Sequence, residues 1–197
     1  MSRPSYSQQE NDAIRQQLID GAMTLFRQHG QSNLTLRKLA SHMNMSHTKL
    51  YRYFKNKDAL LLSVKMMGLE ILYDILIKND PHDSDPLIRL RVASKSLHSF
   101  ATHYKKEYLF LFLEINAQEE TQAFIDMKHK VFNYIVDIAK LANAEGHTNM
   151  DGRTLANLSW ATFHGLFLLH FSGQLIEGRS FETLLESAIN VLFQAKL

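Results

Sequence analysis

The stretch that decides the fold is residues 46–60, which read SHTKLYRYFKNKDAL. Four Lys or Arg, one His, two Tyr and one Phe fall within these fifteen residues. Aromatic side chains usually belong to a core, and basic side chains usually belong to a solvated face. A stretch that carries both is typical of a surface that packs on its own domain and also meets a nucleic-acid backbone.

Two short helices joined by a tight turn are predicted around this stretch. Thr35 is in position to cap a helix that ends at Met43, and Ser46 to cap one that extends to Phe54. Asn44 lies between them, and Asn tolerates the left-handed conformation that a tight turn requires. The apolar positions of the two helices would interlock: Leu36, Leu39, Ala40, Met45, Leu50 and Phe54. The pattern predicts a helix-turn-helix, whose second helix enters the major groove of DNA.

The rest of the chain is also predicted to be helical. Apolar residues recur with the 3.6-residue period of a helix, and no run alternates with a period of two. The segment NDPHDSDP at 79–86 holds two of the three prolines and predicts a loop. The other predicted helices span 8–29, 57–78, 86–103, 106–118, 121–145, 152–173 and 181–196. We therefore predict an all-α protein with a three-helix DNA-binding head at 8–60 and a helical body at 61–197.

Composition limits the classes of protein to which the chain can belong. The 197 residues include no Cys, which excludes disulfides and thiolate metal sites and favours a cytoplasmic protein. The polar N-terminus predicts no signal peptide, and no apolar run is long enough to predict a membrane span. The net charge of +2 is uneven, because residues 1–60 carry nine Lys or Arg and four Asp or Glu. A basic front part on a mildly acidic body indicates that the front part meets a polyanion.

Residues 12–60 resemble the DNA-binding domain of the TetR family of bacterial transcription regulators. The family pattern at the end of this domain is close to LYRYFKNKDAL, which begins at Leu50 in this chain. Three positions depart from it: Asn44 and Thr48 stand where Gly is common, and Tyr53 replaces a usual His. The resemblance rests on Leu18, Ile19, Ala22, Phe26, Gly30, Thr35, Leu39, Ala40, Met45, Ser46, Leu50, Tyr51, Phe54, Lys57 and Leu60.

The resemblance implies roles for individual residues of the head. The helices that begin at Thr35 and Lys57 would point their N-termini at phosphates, where N–H groups and the helix dipole favour an anion. The two tyrosines of the second helix would contact the DNA backbone, and Arg37, Thr48 and Lys49 are the candidates for base contacts. The predicted DNA-binding set is Thr35, Arg37, Ser46, His47, Thr48, Lys49, Tyr51, Tyr53 and Lys57. The predicted partner is double-stranded DNA with an inverted-repeat operator.

A homodimer is predicted because one helix-turn-helix covers only a few base pairs. Apolar residues cover nearly the whole circumference of the helix at 155–171, which indicates burial on more than one side. The last helix carries one clean apolar face. The resemblance implies that these two helices form a four-helix bundle with those of a second copy. The predicted interface is Leu158, Phe163, Gly165, Leu169, Leu185, Ile189 and Leu192.

A ligand cavity in the body is a further expectation, since the middle helices are rich in aromatic residues, Met and His. The predicted lining is Met67, Tyr73, His98, Tyr104, Phe110, Phe124, Met127 and His164. The effector would be a small apolar or aromatic molecule that shifts the dimer away from the DNA-bound arrangement. The alternative is a TetR-like DNA-binding protein without a ligand pocket that acts through a protein partner.

An enzyme is not predicted. The ten His residues show no HExxH motif, and the chain has no glycine-rich phosphate loop and no GxSxG motif. His103 and Glu107 have the i, i+4 spacing of shared metal ligands, but a metal site normally needs three or four ligands. Neither a metal nor another cofactor is predicted. We expect a cytoplasmic, nucleoid-associated repressor.

Overall fold

All regular secondary structure in the described part of the chain is helical, as the sequence predicts. The computed structural model describes residues 7–113, 120–175 and 178–193. The helices are α1 Gln8–Asn33, α2 Leu36–His42, α3 His47–Leu50, α4 Lys57–Asn79, α5 Pro86–His103, α6 Lys105–Phe112, α7 Gln122–Ala144, α8 Gly152–Phe171 and α9 Phe181–Leu192. None of the helices in these ranges combines the length and the apolarity that crossing a membrane requires.

Most helix starts agree with the sequence prediction because side-chain caps fix them. Ser7 forms a capping box with Glu10 at the start of α1. Asp85, Asp151 and Ser180 each accept a hydrogen bond from a backbone N–H in the first turn of α5, α8 and α9. The predicted C-terminal ends of α6 and α9 fall in 114–119 and 194–197, which lie outside the described residues.

Two helix ends differ from the prediction. Helix α1 is predicted to stop before Gly30, but helical turns resume beyond it and reach Asn33, with Gly30 itself at a φ of 74°. Helix α3 ends at Leu50 instead of Phe54, since the amides of Arg52 and Tyr53 bond to carbonyls three residues back, in the manner of single turns. The recognition segment is therefore one short helix followed by a tightly wound turn.

The chain forms two compact units. The first unit comprises the described residues up to Glu70 together with those from Lys106 to Phe124. Helix α6 belongs to it because Phe110 packs against Phe26 of α1, with the ring centroids 4.9 Å apart. Buried Glu107 also pairs with Arg27 of α1, and Lys106 donates a hydrogen bond to the backbone carbonyl of Arg27. The predicted division after residue 60 is one of function and stays a prediction.

The second unit comprises residues 71–105 and the described residues from 125 onward. Its core includes Phe163 and Phe167 of α8 and Ile189 of α9, all almost fully buried. Two side-chain links join α5 to α9: Lys95 with Glu186 at 2.9 Å, and the Arg91 guanidinium with the Asn190 side-chain oxygen at 2.6 Å.

A buried ion pair stabilises the loop between α4 and α5. The Asp80 carboxylate is inaccessible and accepts two hydrogen bonds from Arg89, at 2.9 and 2.7 Å. Burial by itself raises the pKa of Asp80, but the hydrogen bonds from Arg89 and Tyr134 outweigh it and hold that pKa below its ordinary value. The carboxylate is therefore ionised at neutral pH, and it anchors the loop to α5.

Candidate nucleic-acid interface

The turn between α2 and α3 has the geometry that the sequence predicts. Asn44 has a φ of 49°, the left-handed conformation in which Asn is tolerated better than most residues. The amide of Met45 donates to the carbonyl of Ala40 at 2.9 Å, which closes the turn. Leu39, Ala40 and Leu50 are buried between the helices. The helix-turn-helix is thus held by an apolar contact and a hydrogen-bonded turn.

Two predicted DNA-binding residues act as helix caps. The Thr35 hydroxyl accepts a hydrogen bond from the amide of Lys38 at 3.2 Å, and the Ser46 hydroxyl accepts one from the amide of Lys49 at 3.3 Å. Each hydroxyl keeps its own hydrogen and can still donate to a phosphate oxygen. These residues therefore fix where α2 and α3 begin and remain able to contact an anion.

Most of the predicted base-reading residues lie at the surface. Arg37 and Thr48 are exposed, and Lys49 is partly exposed. His47, another member of the predicted DNA-binding set, is also exposed. Tyr51 is 51% exposed, and its ring meets the His47 ring edge-on at a centroid distance of 4.9 Å. A ring held in this way keeps its hydroxyl near the helix edge, which suits a phosphate contact.

Tyr53 and Lys57 make internal hydrogen bonds that the sequence did not indicate. The Tyr53 hydroxyl donates to the Asn11 side chain of α1 at 3.3 Å, and the Lys57 ammonium donates to the Ser32 carbonyl at 3.5 Å. Asn56 caps α4, because its side-chain oxygen accepts from the amide of Ala59 at 2.9 Å. Asn56 was missed by the sequence analysis, although Asn before a helix is a common capping signal.

Five of the predicted pocket residues make ring contacts within their own units. Phe110 packs on Phe26 in the first unit. In the second unit, Tyr73 meets Tyr134, Tyr104 stacks on Phe100, His98 stacks on Phe167, and His164 stacks on Trp160. Burial lowers the pKa of His98 and of His164, so both rings are predominantly neutral at pH 7.

The other three predicted pocket residues differ in burial. Phe124 is buried in the first unit, and Met67 of that unit is half-buried. Met127 is half-buried in the second unit. The assignment of these eight residues to a ligand cavity stays a prediction.

The predicted dimer residues fall into two groups. Phe163, Leu185 and Ile189 are buried within the chain itself, so they belong to its own core. Leu158 and Leu169 are 45% and 40% exposed, Gly165 is exposed, and Leu192 is half-buried. Leu168 and Val191, which were not predicted, are also exposed. The exposed residues Leu158, Gly165, Leu168, Leu169 and Val191 are called here the α8–α9 apolar face, and its contact with a partner stays a prediction.

Comparison with known proteins identifies the head. The family model described as "Bacterial regulatory proteins, tetR family" matches residues 18–64, which include α2, α3 and the start of α4. This chain therefore resembles that family over residues 18–64. It is 33% identical over 61 residues to the HTH-type transcriptional repressor Rv1474c of Mycobacterium tuberculosis. That match covers 31% of this chain and 33% of the length of the relative.

Solved structures share the fold over nearly the whole chain. A protein with unknown function from Rhodococcus sp. RHA1 superimposes with a TM-score of 0.80 at 23% identity, covering 92% of this chain and 94% of that one. AibR, solved in complex with isovaleryl coenzyme A and operator DNA, superimposes with a TM-score of 0.65 at 17% identity. That alignment covers 92% of this chain and 99% of AibR. The chain therefore shares the fold of these proteins beyond the matched head.

Proposed function

We propose that this protein is a homodimeric, sequence-specific DNA-binding repressor of transcription of the TetR family. The observation that carries the proposal is the capped α3, which exposes His47, Thr48 and Tyr51 beside a turn closed by Asn44. A short rigid helix with polar residues at its N-terminus is the element that reads base edges in the major groove. The repressor name of the mycobacterial relative supports the same direction of regulation.

The roles proposed for the residues of the interface follow from their exposure and their hydrogen bonds. Thr48 and Lys49 lie in the first turn of α3, where side chains of a recognition helix reach the bases, and Arg37 lies in the first turn of α2. Tyr51, together with the N-terminus of α2, would contact phosphates. Tyr53 and Lys57 would instead hold the interface in place on α1. The Tyr53 hydroxyl donates to Asn11 near the start of α1, and the Lys57 ammonium donates to the Ser32 carbonyl near its end.

Dimerisation would use the α8–α9 apolar face. Three leucines of this face are 40–45% exposed and Val191 is 73% exposed. Exposure of this apolar surface to water is unfavourable, and a partner helix would bury it. A Cβ placed on Gly165 would meet nothing within 4 Å in the single chain, so the open surface there can receive a closely packed helix. Two heads related by a twofold axis would then read an inverted repeat.

An apolar or aromatic effector would control release from DNA. The aromatic residues of the body and the neutral imidazoles of His98 and His164 suit a ligand with apolar groups. AibR, which shares the fold, was solved with isovaleryl coenzyme A, so acyl compounds are the first class to screen. Helix α4 contributes residues to both compact units and is the candidate for transmitting the effect.

The proposal is tested by selecting random duplex DNA with the purified protein and sequencing the retained molecules. Enrichment of an inverted repeat is the expected result. Retention of no preferred sequence, with binding lost at moderate salt, would indicate phosphate contacts alone and would contradict specific recognition.

Two variants separate base reading from phosphate binding. Lys49→Ala should change the sequence preference at one position of each half-site, because it removes a proposed base contact. Tyr51→Phe should weaken binding to all sequences to a similar degree, by about 3–10-fold per head, because it removes one hydrogen bond to phosphate. Lys55→Ala serves as a matched control, since Lys55 is an exposed lysine outside the proposed set. An unchanged preference in Lys49→Ala would remove Lys49 from the reading residues.

A further inference from the structure

We propose that Asp85, Glu145 and His147 form a binding site for a divalent first-row transition-metal ion, with Zn²⁺ as the representative ion. The site lies in the second unit, where the start of α5 meets the turn after α7. It is separate from the proposed nucleic-acid interface. It could not be predicted from the sequence, because Asp85 lies about sixty residues from the other two ligands.

Two of the three distances between the ligand atoms already match the spacing of neighbouring ligands around one ion. The His147 Nε2 lies 3.1 Å from an Asp85 carboxylate oxygen and 3.1 Å from a Glu145 carboxylate oxygen. All three atoms lie within 4.8 Å of one another. With metal–ligand bonds of about 2.0–2.2 Å, neighbouring ligand atoms are roughly 3.0–3.5 Å apart in octahedral or tetrahedral coordination. An ion could therefore bind with only small side-chain movements.

The arrangement is better suited to a cation than to the imidazole proton. A single N–H of His147 can point at one carboxylate, yet two carboxylate oxygens lie at the same distance from this nitrogen. Two carboxylates held together repel each other, and a divalent ion between them would offset both charges. His147 would bind the ion through an Nε2 that carries no proton, as any ligating imidazole nitrogen must.

The backbone and one carboxylate oxygen hold the ligands in place. Asp85 uses Oδ1 to cap α5, accepting from the amide of Leu87 at 2.7 Å, and presents Oδ2 to His147. The amide of His147 donates to the carbonyl of Ala142 at 2.9 Å, which ties its turn to the end of α7. Gly146 at a φ of 78° makes that turn possible. The ligand atoms therefore converge from two anchored segments.

The ligand set indicates the class of ion. One imidazole nitrogen and two carboxylate oxygens suit Zn²⁺ and its neighbours better than a soft ion that prefers thiolates. The side chains of Asp85, Glu145 and His147 are 39%, 52% and 26% exposed, so the ion can enter from solvent and complete its coordination with water. A bound ion would link the start of α5 to the end of α7.

Isothermal titration of the tag-free full-length protein with ZnCl₂, at pH 7.5 in a non-chelating buffer, tests the site. We expect one ion per chain and a rise in Tm that depends on the Zn²⁺ concentration. His147→Ala should weaken binding by at least about tenfold, since it removes a direct ligand. His129→Ala is the control, because His129 is an exposed histidine of α7 and lies outside the cluster.

Two isosteric variants keep the test independent of folding defects. Asp85→Asn preserves an oxygen that caps α5, because Asn caps helices about as well as Asp, while it removes the carboxylate charge. Asp85→Asn and Glu145→Gln should each keep the Tm measured in chelator and lose most of the Zn²⁺-dependent rise. The absence of saturable binding to the wild type would overturn the proposal. Equal affinity in the wild type and in all three cluster variants would overturn it as well.

Discussion

The ion pair between Arg27 of α1 and Glu107 of α6 gives the sharpest prediction about the head. The Glu107 side chain is only 4% exposed, whereas that of Arg27 is 45% exposed. Arg27→Ala should therefore leave a buried carboxylate without the guanidinium that offsets its charge. Glu107→Gln removes the charge and keeps nearly the same shape.

The loss of stability expected for Arg27→Ala lies between the values typical of surface ion pairs and of buried ion pairs. Exposed pairs contribute about 0–1 kcal/mol, and removing one partner of a fully buried pair costs about 3–5 kcal/mol. Because solvent reaches one partner only, we expect Arg27→Ala to lower the free energy of unfolding by about 2 kcal/mol. In the Glu107→Gln background the same change should cost less than about 1 kcal/mol.

Urea unfolding of the wild type, both single variants and the double variant measures the coupling directly. A coupling energy of about 1–2 kcal/mol is expected, since the two side chains are in direct contact. Additive effects, within about 0.5 kcal/mol, would refute the argument that Arg27 compensates the buried charge. Gln28→Ala is a suitable control, because Gln28 is an exposed neighbour on the same helix.

Three further predictions concern the turn, the loop and the dimer. Asn44→Ala should destabilise the protein by about 1–2 kcal/mol because of the left-handed φ, whereas Asn44→Gly should not; thermal unfolding distinguishes the two. The pKa of Asp80 is lowered in the folded state. Its pairing with Arg89 therefore stabilises the fold above a pH of about 4, and this stabilisation is lost as the pH falls through the pKa of Asp80 in the folded state. Asp80→Asn should thus be less stable than wild type at pH 7 and nearly as stable under strong acid. A loss of unfolding free energy that is equal at both pH values, measured with urea, would contradict this. Leu169→Lys should shift the protein from dimer to monomer in sedimentation velocity, and an unchanged dimer would exclude Leu169 from the interface.

The helix-turn-helix was predictable because its signals are local. Thr35 and Ser46 cap the helices to which they are adjacent, and Asn44 takes the one unusual backbone conformation that its side chain tolerates. Each of these residues acts on backbone within three or four positions, so the sequence shows both partners at once. The helical character of the body was predictable for the same reason, since the 3.6-residue period is a short-range property.

The dimer residues show where such reasoning stops. A stripe of apolar residues predicts that a helix face is buried, but it does not say against what. Phe163, Leu185 and Ile189 proved to be part of the chain's own core, while Leu168 and Val191, outside the predicted set, are exposed. The packing of α8 on α9 and on α5 separates these two groups.

Contacts between distant parts of the chain could not be predicted from the sequence either. The Arg27–Glu107 pair joins residues eighty positions apart, and each residue alone looks like an ordinary surface charge in the sequence. The same holds for Asp85 and His147, which are brought together by the start of one helix and the turn after another. No local pattern reports such pairs.

Because α6 is part of the first compact unit, that unit is assembled from two separate segments of the chain. During synthesis the ribosome must add residues 71–105 before α6 can emerge, which takes about 2–7 s at ~5–20 residues per second. Until then Phe26 lacks the ring of Phe110 against which it packs. The nascent first unit therefore passes through an interval in which the face of Phe26 that meets Phe110 is uncovered.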